Sequence, residues 1–186
     1  MIMLVLHEGQ IPYNPKGKSY KVGLLQGKED IVYLDEIFNK GIELLKYNKD
    51  SLNFIRKYSD KDTAYNFLYN VVYQCDPDYK YYSLIAVFDS ETMELLGASL
   101  VSRGRPWYAP KGIHVYNEEC TVSFKKGVGL ARILSFTFET ISSKDNDCKL
   151  IMFSNANLPN QKMLENTYEK HLGYSSYKTF YKEVNK

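Results

Sequence analysis

The chain of 186 residues is 44% hydrophobic and 25% charged, and its formal net charge is +2. This composition excludes a disordered chain and is typical of one globular domain of α/β size. The near balance of charge removes any global electrostatic argument for a nucleic-acid or membrane-surface partner. Since no linker rich in Pro, Ser or Gly divides the sequence, we expect a single domain over 1–186.

The start of the chain and its cysteines favour a cytoplasmic protein. The apolar start covers only residues 1–6 and lacks a basic region, so we expect no signal peptide. No apolar run is long enough to span a bilayer. The three cysteines (Cys75, Cys120 and Cys148) form no CxxC motif, and we expect them to be reduced. Because the histidines lack ligand spacing, no metal site is expected.

The period of the apolar residues predicts the elements in chain order. A strand–helix–strand unit over 113–154 requires one parallel strand pair, and a hairpin before it requires antiparallel pairing. Asp62 or Thr63 would cap the second helical region. The predicted elements are a strand over 19–26, helices over 29–47 and roughly 50–75, hairpin strands "YYSLIAVFD" and "ELLGASLVSR", a strand over 113–124, a helix from Leu130, a strand over 148–156, a helix from about Pro159 to Gly173, and a closing strand.

The segment "SFKKGVGLARILSF" (123–136) places Gly127 and Gly129 between a strand and a helix. A helix start binds anions through its free N–H groups and its dipole, and glycines let phosphate oxygens approach the backbone. Lys125 and Lys126 add positive charge, although a plain tight turn with solvated lysines explains the same residues. A Walker A loop is absent, and Arg132 stands where the Rossmann fingerprint needs its third glycine.

The stretch "KGVGLA" (126–131) resembles the Gln/Arg-x-x-Gly-x-Gly/Ala pyrophosphate loop of the GNAT family of acyl-CoA-dependent N-acetyltransferases. Lys126 stands at the Gln/Arg position, and Gly129 and Ala131 at the small-residue positions. "NTYEKHLGYSSY" (166–177) resembles the family's closing Tyr-Glu-Lys-Leu-Gly-Phe segment, with His171 as an extra residue. The resemblance covers about 80–184, whereas 1–78 match only as a strand and two helices.

The resemblance implies an α+β fold and a cofactor. Its mixed, mostly antiparallel sheet would hold a central parallel strand pair splayed around acetyl-CoA, and about four helices would flank it. Backbone N–H groups near Thr121 and Val122 would pair with the pantetheine arm. Asn155 would bond the cofactor or substrate, or else cap the next helix. The implied cofactor-binding residues are Thr121, Val122, Lys125, Lys126, Gly127, Val128, Gly129, Leu130, Ala131 and Asn155.

The implied reaction is direct transfer of an acetyl group from acetyl-CoA to a primary amine. Glu118 or Glu119 would take the amine's proton, since both lie on the strand that enters the cofactor site. Adjacent residues of a strand point to opposite faces, so at most one of them can face the amine. Tyr168 would protonate the leaving thiolate, unless it simply packs with its helical neighbours Leu164 and Leu172.

The loop "SRGRPWYAPKG" (102–112) is where we expect the acceptor to be recognised, through Arg105, Trp107 and Tyr108; a solvated loop is the alternative. The expected partner is an amine-bearing small molecule or protein. A nucleic acid is disfavoured, a membrane is not expected, and a homodimer stays open. Two other functions stay open as well: a catalytically silent domain that binds acyl-CoA or a protein, and a nucleotide-phosphate binder that uses the same loop.

Overall fold

The computed structural model describes residues 4–12, 17–47, 60–73, 81–105, 111, 114–153 and 166–175. Its centre is a six-stranded sheet whose strands lie in the order of the sequence. Neighbouring strands are antiparallel from β1 to β5, and β5 and β6 are parallel. The strands are β1 (Leu4–Gln10), β2 (Ser19–Leu25), β3 (Tyr82–Asp89), β4 (Leu95–Gly104), β5 (His114–Ser123) and β6 (Cys148–Phe153).

Helices cover both faces of this sheet, as the α+β prediction requires. The longer ones are α1 (Ile31–Tyr47), α2 (Lys61–Tyr73) and α3 (Leu130–Ser143), and a short π-helical turn over Thr167–His171 lies near the end of the described chain. Helices α1 and α2 bury one face in a core built around Leu34, Val72 and Phe88. Helix α3 buries the other face around Val87, Leu134 and Phe138. Strand β3 is therefore apolar on both sides, because each face meets a core.

Strand β1 is an element that the apolar pattern does not predict. It lies at the edge of the sheet, paired only with β2 among the described residues. Leu4 and Val5 are exposed, and only Leu6, His7 and Gly9 are half-buried. The apolar residues Leu4, Val5 and Leu6 are consecutive. The strand therefore lacks the alternation of apolar and polar residues that predicts a half-buried strand.

The start of α2 differs from the predicted cap. The Asp60 carboxylate accepts hydrogen bonds from the Thr63 N–H (2.9 Å) and the Thr63 hydroxyl (2.6 Å). Asp60 is therefore the N-cap, and the expectation of Asp62 or Thr63 was wrong. The helix that follows the double glycine begins at Leu130, directly after Gly129.

Candidate active site

The described pairing of the two parallel strands covers the first half of β5. Their register runs from His114 opposite Cys148 to Glu118 opposite Phe153. The rest of β5, residues 119–123, pairs with β4 alone among the described residues. No described residue therefore pairs with the edge of β5 that faces away from β4 there, in the part of the strand that leads to the double glycine.

The hydrogen-bond pattern shows which backbone groups lie on this edge. The Phe124 N–H donates to the Leu96 carbonyl at 3.0 Å, so it points towards β4. Hydrogen-bonded and non-bonded pairs alternate along antiparallel strands. Thr121 and Ser123 therefore turn their N–H and C=O groups to the open edge, whereas Val122 turns its groups to β4. Of the two residues expected to hold the pantetheine arm, only Thr121 presents a backbone donor there.

A β-bulge in β5 lies directly after Glu118, the last residue of β5 that is described as paired with β6. Val101 is opposite Glu118 and Leu100 is opposite Cys120, which leaves Glu119 as the extra residue of β5. A bulge bends its strand and re-aims the side chains beside it. The bulge therefore changes the relative directions of Glu118 and Glu119, the two residues that the sequence analysis predicted as candidate bases.

Glu118 and Glu119 lie on opposite faces of the sheet. Glu118 pairs with Val101, a residue of the α3-side core, and only 4% of its surface is exposed. Glu119 is exposed, and its Oε1 accepts hydrogen bonds from the Ser102 hydroxyl and from the Asn117 amide (2.9 Å). Of the two glutamates, Glu118 is thus the buried one, and it lies at the last described pair of β5 and β6.

The loop before α3 has the backbone of an anion site. Gly127 (φ 79°) and Gly129 (φ 69°) are both left-handed, a conformation that disfavours other residues. The Gly129 carbonyl accepts from the N–H groups of Arg132 (3.0 Å) and Ile133 (3.1 Å), which closes the first turn. The N–H groups before Arg132 have no acceptor within the helix, so they and the helix dipole favour an anion at this point.

The space beside the two glycines differs. A Cβ on Gly127 would meet nothing within 4 Å. A Cβ on Gly129 would lie 3.0 Å from the Pro12 Cβ. The sequence analysis expected both glycines to leave space for a phosphate. The ring of Pro12 lies close to that space at Gly129, whereas no described atom lies near it at Gly127.

The two lysines of the loop have different surroundings. The Lys125 ammonium pairs with the Glu94 carboxylate at 2.5 Å. Lys126 is exposed and has no carboxylate partner in the described part of the chain. Lys126 is therefore the cation that is available to an anionic ligand. Val128 and Leu130 are core residues, so they and Ala131 offer backbone groups.

Tyr168 lies in the π-helical turn and is half-buried. Its ring meets the ring of Tyr174 edge to face, with centroids 5.7 Å apart. Burial raises the pKa of Tyr168 well above its usual range, and the nearby charge of Glu118 and the Tyr174 hydroxyl raise it further. The structure thus brings Tyr168 into the field of Glu118, and the tyrosine keeps its proton.

Cys120 is a free thiol on the same strand as Glu118, with a solvent-exposed side chain. Burial by the surrounding protein raises the pKa of the thiol to about 11, and the charge of Glu118 raises it further. The thiol therefore keeps its proton at physiological pH.

Some predicted residues lie elsewhere or outside the described chain. Thr121 donates its hydroxyl to Ser99 (2.9 Å), which leaves only its backbone for a ligand. Arg105 is exposed just after β4. Trp107, Tyr108 and Asn155 lie outside the described residues. The structure adds Pro12 and Tyr174 to the site, and apart from the resemblance at "LGYSSY" no local pattern in the sequence indicates either residue.

The described residues contain neither a candidate metal site nor a candidate membrane-spanning helix. No group of three His, Cys, Asp or Glu side chains there could hold a metal ion. None of the described helices is both long and apolar enough to cross a membrane.

The sheet order, with its parallel pair of β5 and β6, and the glycine loop before α3 give the chain the fold of GNAT acetyltransferases. The structure resembles that of a possible acetyltransferase from Clostridium difficile 630, with a TM-score of 0.61 and 13% identity over 90% of this chain and 99% of the other. It also resembles an aminoglycoside acetyltransferase from an uncultured soil metagenomic sample (TM-score 0.60, 11% identity, 89% and 99% covered). A GNAT family acetyltransferase of Staphylococcus aureus is similar over 89% of this chain and 98% of its own, with a TM-score of 0.50 and 17% identity.

Sequence comparison adds nothing to this fold assignment. No protein-family model matches the chain, and no curated protein matches its sequence. At identities this low the structural likeness shows the fold, so the reaction has to be argued from the site itself.

Proposed function

We propose that this protein transfers an acetyl group from acetyl-CoA to a primary amine. The observation that carries the proposal is the edge of β5 over residues 119–123, which no described strand covers and which leads directly into the glycine loop at the start of α3. An extended arm can add to an open strand edge, and a diphosphate suits a helix start. Coenzyme A joins these two chemical groups in one molecule.

The cofactor would be held mainly by backbone groups. The outward N–H and C=O groups of Thr121 and Ser123 suit the amides of a pantetheine arm, because an edge strand offers both donors and acceptors. The N–H groups at the start of α3 and the Lys126 ammonium suit the diphosphate. The open space beside Gly127 supports this assignment, since a ligand atom can approach the backbone there.

Acetyl-CoA supplies the acetyl group as a thioester that an amine can attack directly. An alkylamine has a pKa of about 10, so it must lose a proton before it can attack. We assign this step to Glu118, the buried carboxylate at the last paired position of β5 and β6. Glu119 already accepts two hydrogen bonds on the opposite face, which suits binding or orientation better than proton transfer.

The leaving thiolate needs a proton, and we assign its donation to Tyr168. The closeness of Tyr168 to Glu118 supports this assignment, and a tyrosine hydroxyl is protonated at physiological pH. An outward N–H group of β5 would stabilise the oxyanion that forms as the amine attacks, a contribution typically of about 10²–10³ in rate. Proton donors and acceptors of this kind contribute about 10²–10⁴.

Binding is the first test, by calorimetric titration with CoA, NAD and ATP. We expect CoA to bind more tightly than either nucleotide. Thr121→Pro removes one outward N–H from an open edge, where proline is tolerated, and should weaken CoA binding about ten-fold or more. Thr121→Val is the matched control, because it loses only the hydroxyl. Ser123→Pro repeats the test at the second outward N–H. A folded Thr121→Pro protein that binds CoA like the parent would contradict the proposed arm site.

Turnover is the second test, measured as CoA release with a polyamine, an aminoglycoside and a peptide with a free N-terminus. Glu118→Gln and Tyr168→Phe should each slow release by about 10²–10⁴. Glu119→Gln should have a much smaller effect. A large loss in Glu119→Gln alone would transfer the role of base to that residue. Tight binding of CoA with no release across a broad amine panel would instead favour an acyl-CoA-binding module.

A further inference from the structure

The turn that carries Tyr168 contains one residue more than a regular helical turn. Residues Thr167–His171 form a π-helical turn, the form that a helix takes when a residue is inserted. Gly173 then adopts a left-handed backbone (φ 74°), and the Tyr174 N–H donates to the Tyr168 carbonyl at 2.9 Å. This closure folds the chain back, so that the ring of Tyr174 lies against the ring of Tyr168.

Tyr174 is in turn fixed to helix α3. Its hydroxyl lies 3.0 Å from the hydroxyl of Ser135, which is completely buried. Ser135 donates its only proton to the Glu139 carboxylate at 3.0 Å. Burial raises the pKa of Tyr174, and the hydrogen bond that its hydroxyl also makes with the Glu139 carboxylate raises it further. Tyr174, Ser135 and Glu139 therefore form one hydrogen-bonded cluster.

Helix α3 thereby connects two parts of the site. Its first turn is the anion site beside the double glycine, and Ser135 lies in the turn that follows. Contacts with larger elements fix the position of the π-helical turn in the fold. The contact of Tyr174 with Ser135 supplies such an anchor at the ring that touches Tyr168.

We infer that Tyr174 is a positioning residue, which holds Tyr168 against the cofactor site by anchoring it to Ser135 of α3. The inference rests on the proposed function in one respect only, that Tyr168 is the proton donor. Tyr174 itself touches no reacting atom. Its role is to fix the Tyr168 ring by an edge-to-face contact, which restricts the directions that the Tyr168 hydroxyl can take.

The deciding experiment follows Tyr168 directly, without any need for an acceptor. The protein is labelled with 3-fluorotyrosine, and the Tyr168 signal in its ¹⁹F NMR spectrum is identified by its loss in Tyr168→Phe. Tyr174→Phe keeps the ring but removes the hydroxyl and with it the whole anchor, and Ser135→Ala removes one of the partners of that hydroxyl. Each should shift or broaden the Tyr168 signal. Ser142→Ala is the control on the same helix, since its hydroxyl bonds only the Glu139 carbonyl of its own helix.

An unchanged Tyr168 signal in both Tyr174→Phe and Ser135→Ala would overturn the inference. Addition of CoA separates this result from the proposed function. If CoA moves the parent Tyr168 signal but the two variants do not, the function stands and the positioning role fails. If the variants move the signal but CoA does not, Tyr174 positions Tyr168 but the cofactor assignment fails.

Kinetics with an amine that supports turnover provide a second measure. Loss of one hydrogen bond of ordinary strength should lower kcat about five-fold in Tyr174→Phe and in Ser135→Ala. The KM for acetyl-CoA should stay close to the parent value, because neither residue lies in the loop that binds the diphosphate. A change in KM with an unchanged kcat would show a general structural role and contradict the inference.

Discussion

Gly97 lies beneath the first residue of α3, and its replacement tests whether that helix start must approach the sheet closely. A Cβ at this position would lie 2.6 Å from the Leu130 Cδ2 and 2.9 Å from the carbonyl oxygen of Val122. Ordinary contact begins at 3.4 Å, so Leu130 would have to move by about 0.8 Å. The Val122 oxygen belongs to the backbone of β5 and cannot turn away as a side chain can.

The cost of Gly97→Ala follows from this overlap. Overpacking by one methyl group in a filled core costs about 1–3 kcal/mol. For a chain of this length each kcal/mol lowers the Tm by about 2–4 °C. Because Leu130 opens α3, its displacement should also disturb the N–H groups of the anion site. We therefore expect Gly97→Ala to lower both the Tm and the affinity for CoA.

Thermal unfolding and CoA titration of Gly97→Ala measure the two effects, and the same strand offers a matched control. Gly104 lies on β4, where a Cβ would meet nothing within 4 Å. Gly104→Ala should be neutral or slightly stabilising, since alanine restricts the unfolded chain more than glycine does. Equal Tm values for the two variants would refute the close packing of α3 on Gly97. A lower Tm with unchanged CoA affinity would refute the link between that packing and the anion site.

Three further predictions follow from single contacts. Gly127→Ala should lower the free energy of unfolding by about 1–2 kcal/mol, because alanine disfavours the left-handed backbone at this position. Gly129→Ala should lower it further, because the new Cβ would also clash with Pro12. Denaturant titration of the two variants measures both effects. Backbone N–H groups of the β3–β4 turn hold the pKa of Asp89 below its usual range. The stabilisation that this carboxylate provides is therefore complete above about pH 4 and is lost as the pH drops through its folded pKa. In Asp89→Asn the free energy of unfolding should depend less on pH in this range, as urea titrations at several pH values would show. Gly41→Ala, in the interior of α1 with open space around its Cβ, should raise stability by about 0.5–1 kcal/mol in the same assay.

Much of the fold could be predicted because most elements have a buried apolar face. The hairpin of β3 and β4 and the unit from β5 through α3 to β6 follow from alternating runs and from one helical stripe. Strand β1 could not be predicted in this way, since Leu6 is only partly buried against the core and its apolar neighbours Leu4 and Val5 are exposed. The cap of α2 was misplaced because three of four consecutive residues, Asp60, Asp62 and Thr63, have the side chain of a cap.

The site was predicted less completely, for a physical reason. The loop with two glycines is local, so its sequence carries the signal of a turn before a helix. The bulge at Glu119 has no local signal, because neither glycine nor proline marks it. The contacts of Pro12 with Gly129 and of Tyr174 with Ser135 join segments that are far apart in the chain, and only the folded structure brings them together.

These distant contacts share helix α3 as their partner. Pro12 packs beside the residue that precedes the helix, Gly97 lies under its first residue, and Tyr174 is anchored to its second turn. A displacement of α3 would therefore act on the anion site and on Tyr168 together. Because one rigid helix connects them, substitutions at Gly97 and at Ser135 should show coupled effects on turnover, whereas Gly97 and the distant Gly41 should be additive. A double-mutant cycle of each pair measures the difference, and additive effects for Gly97 and Ser135 would show that α3 does not transmit position between the two parts of the site.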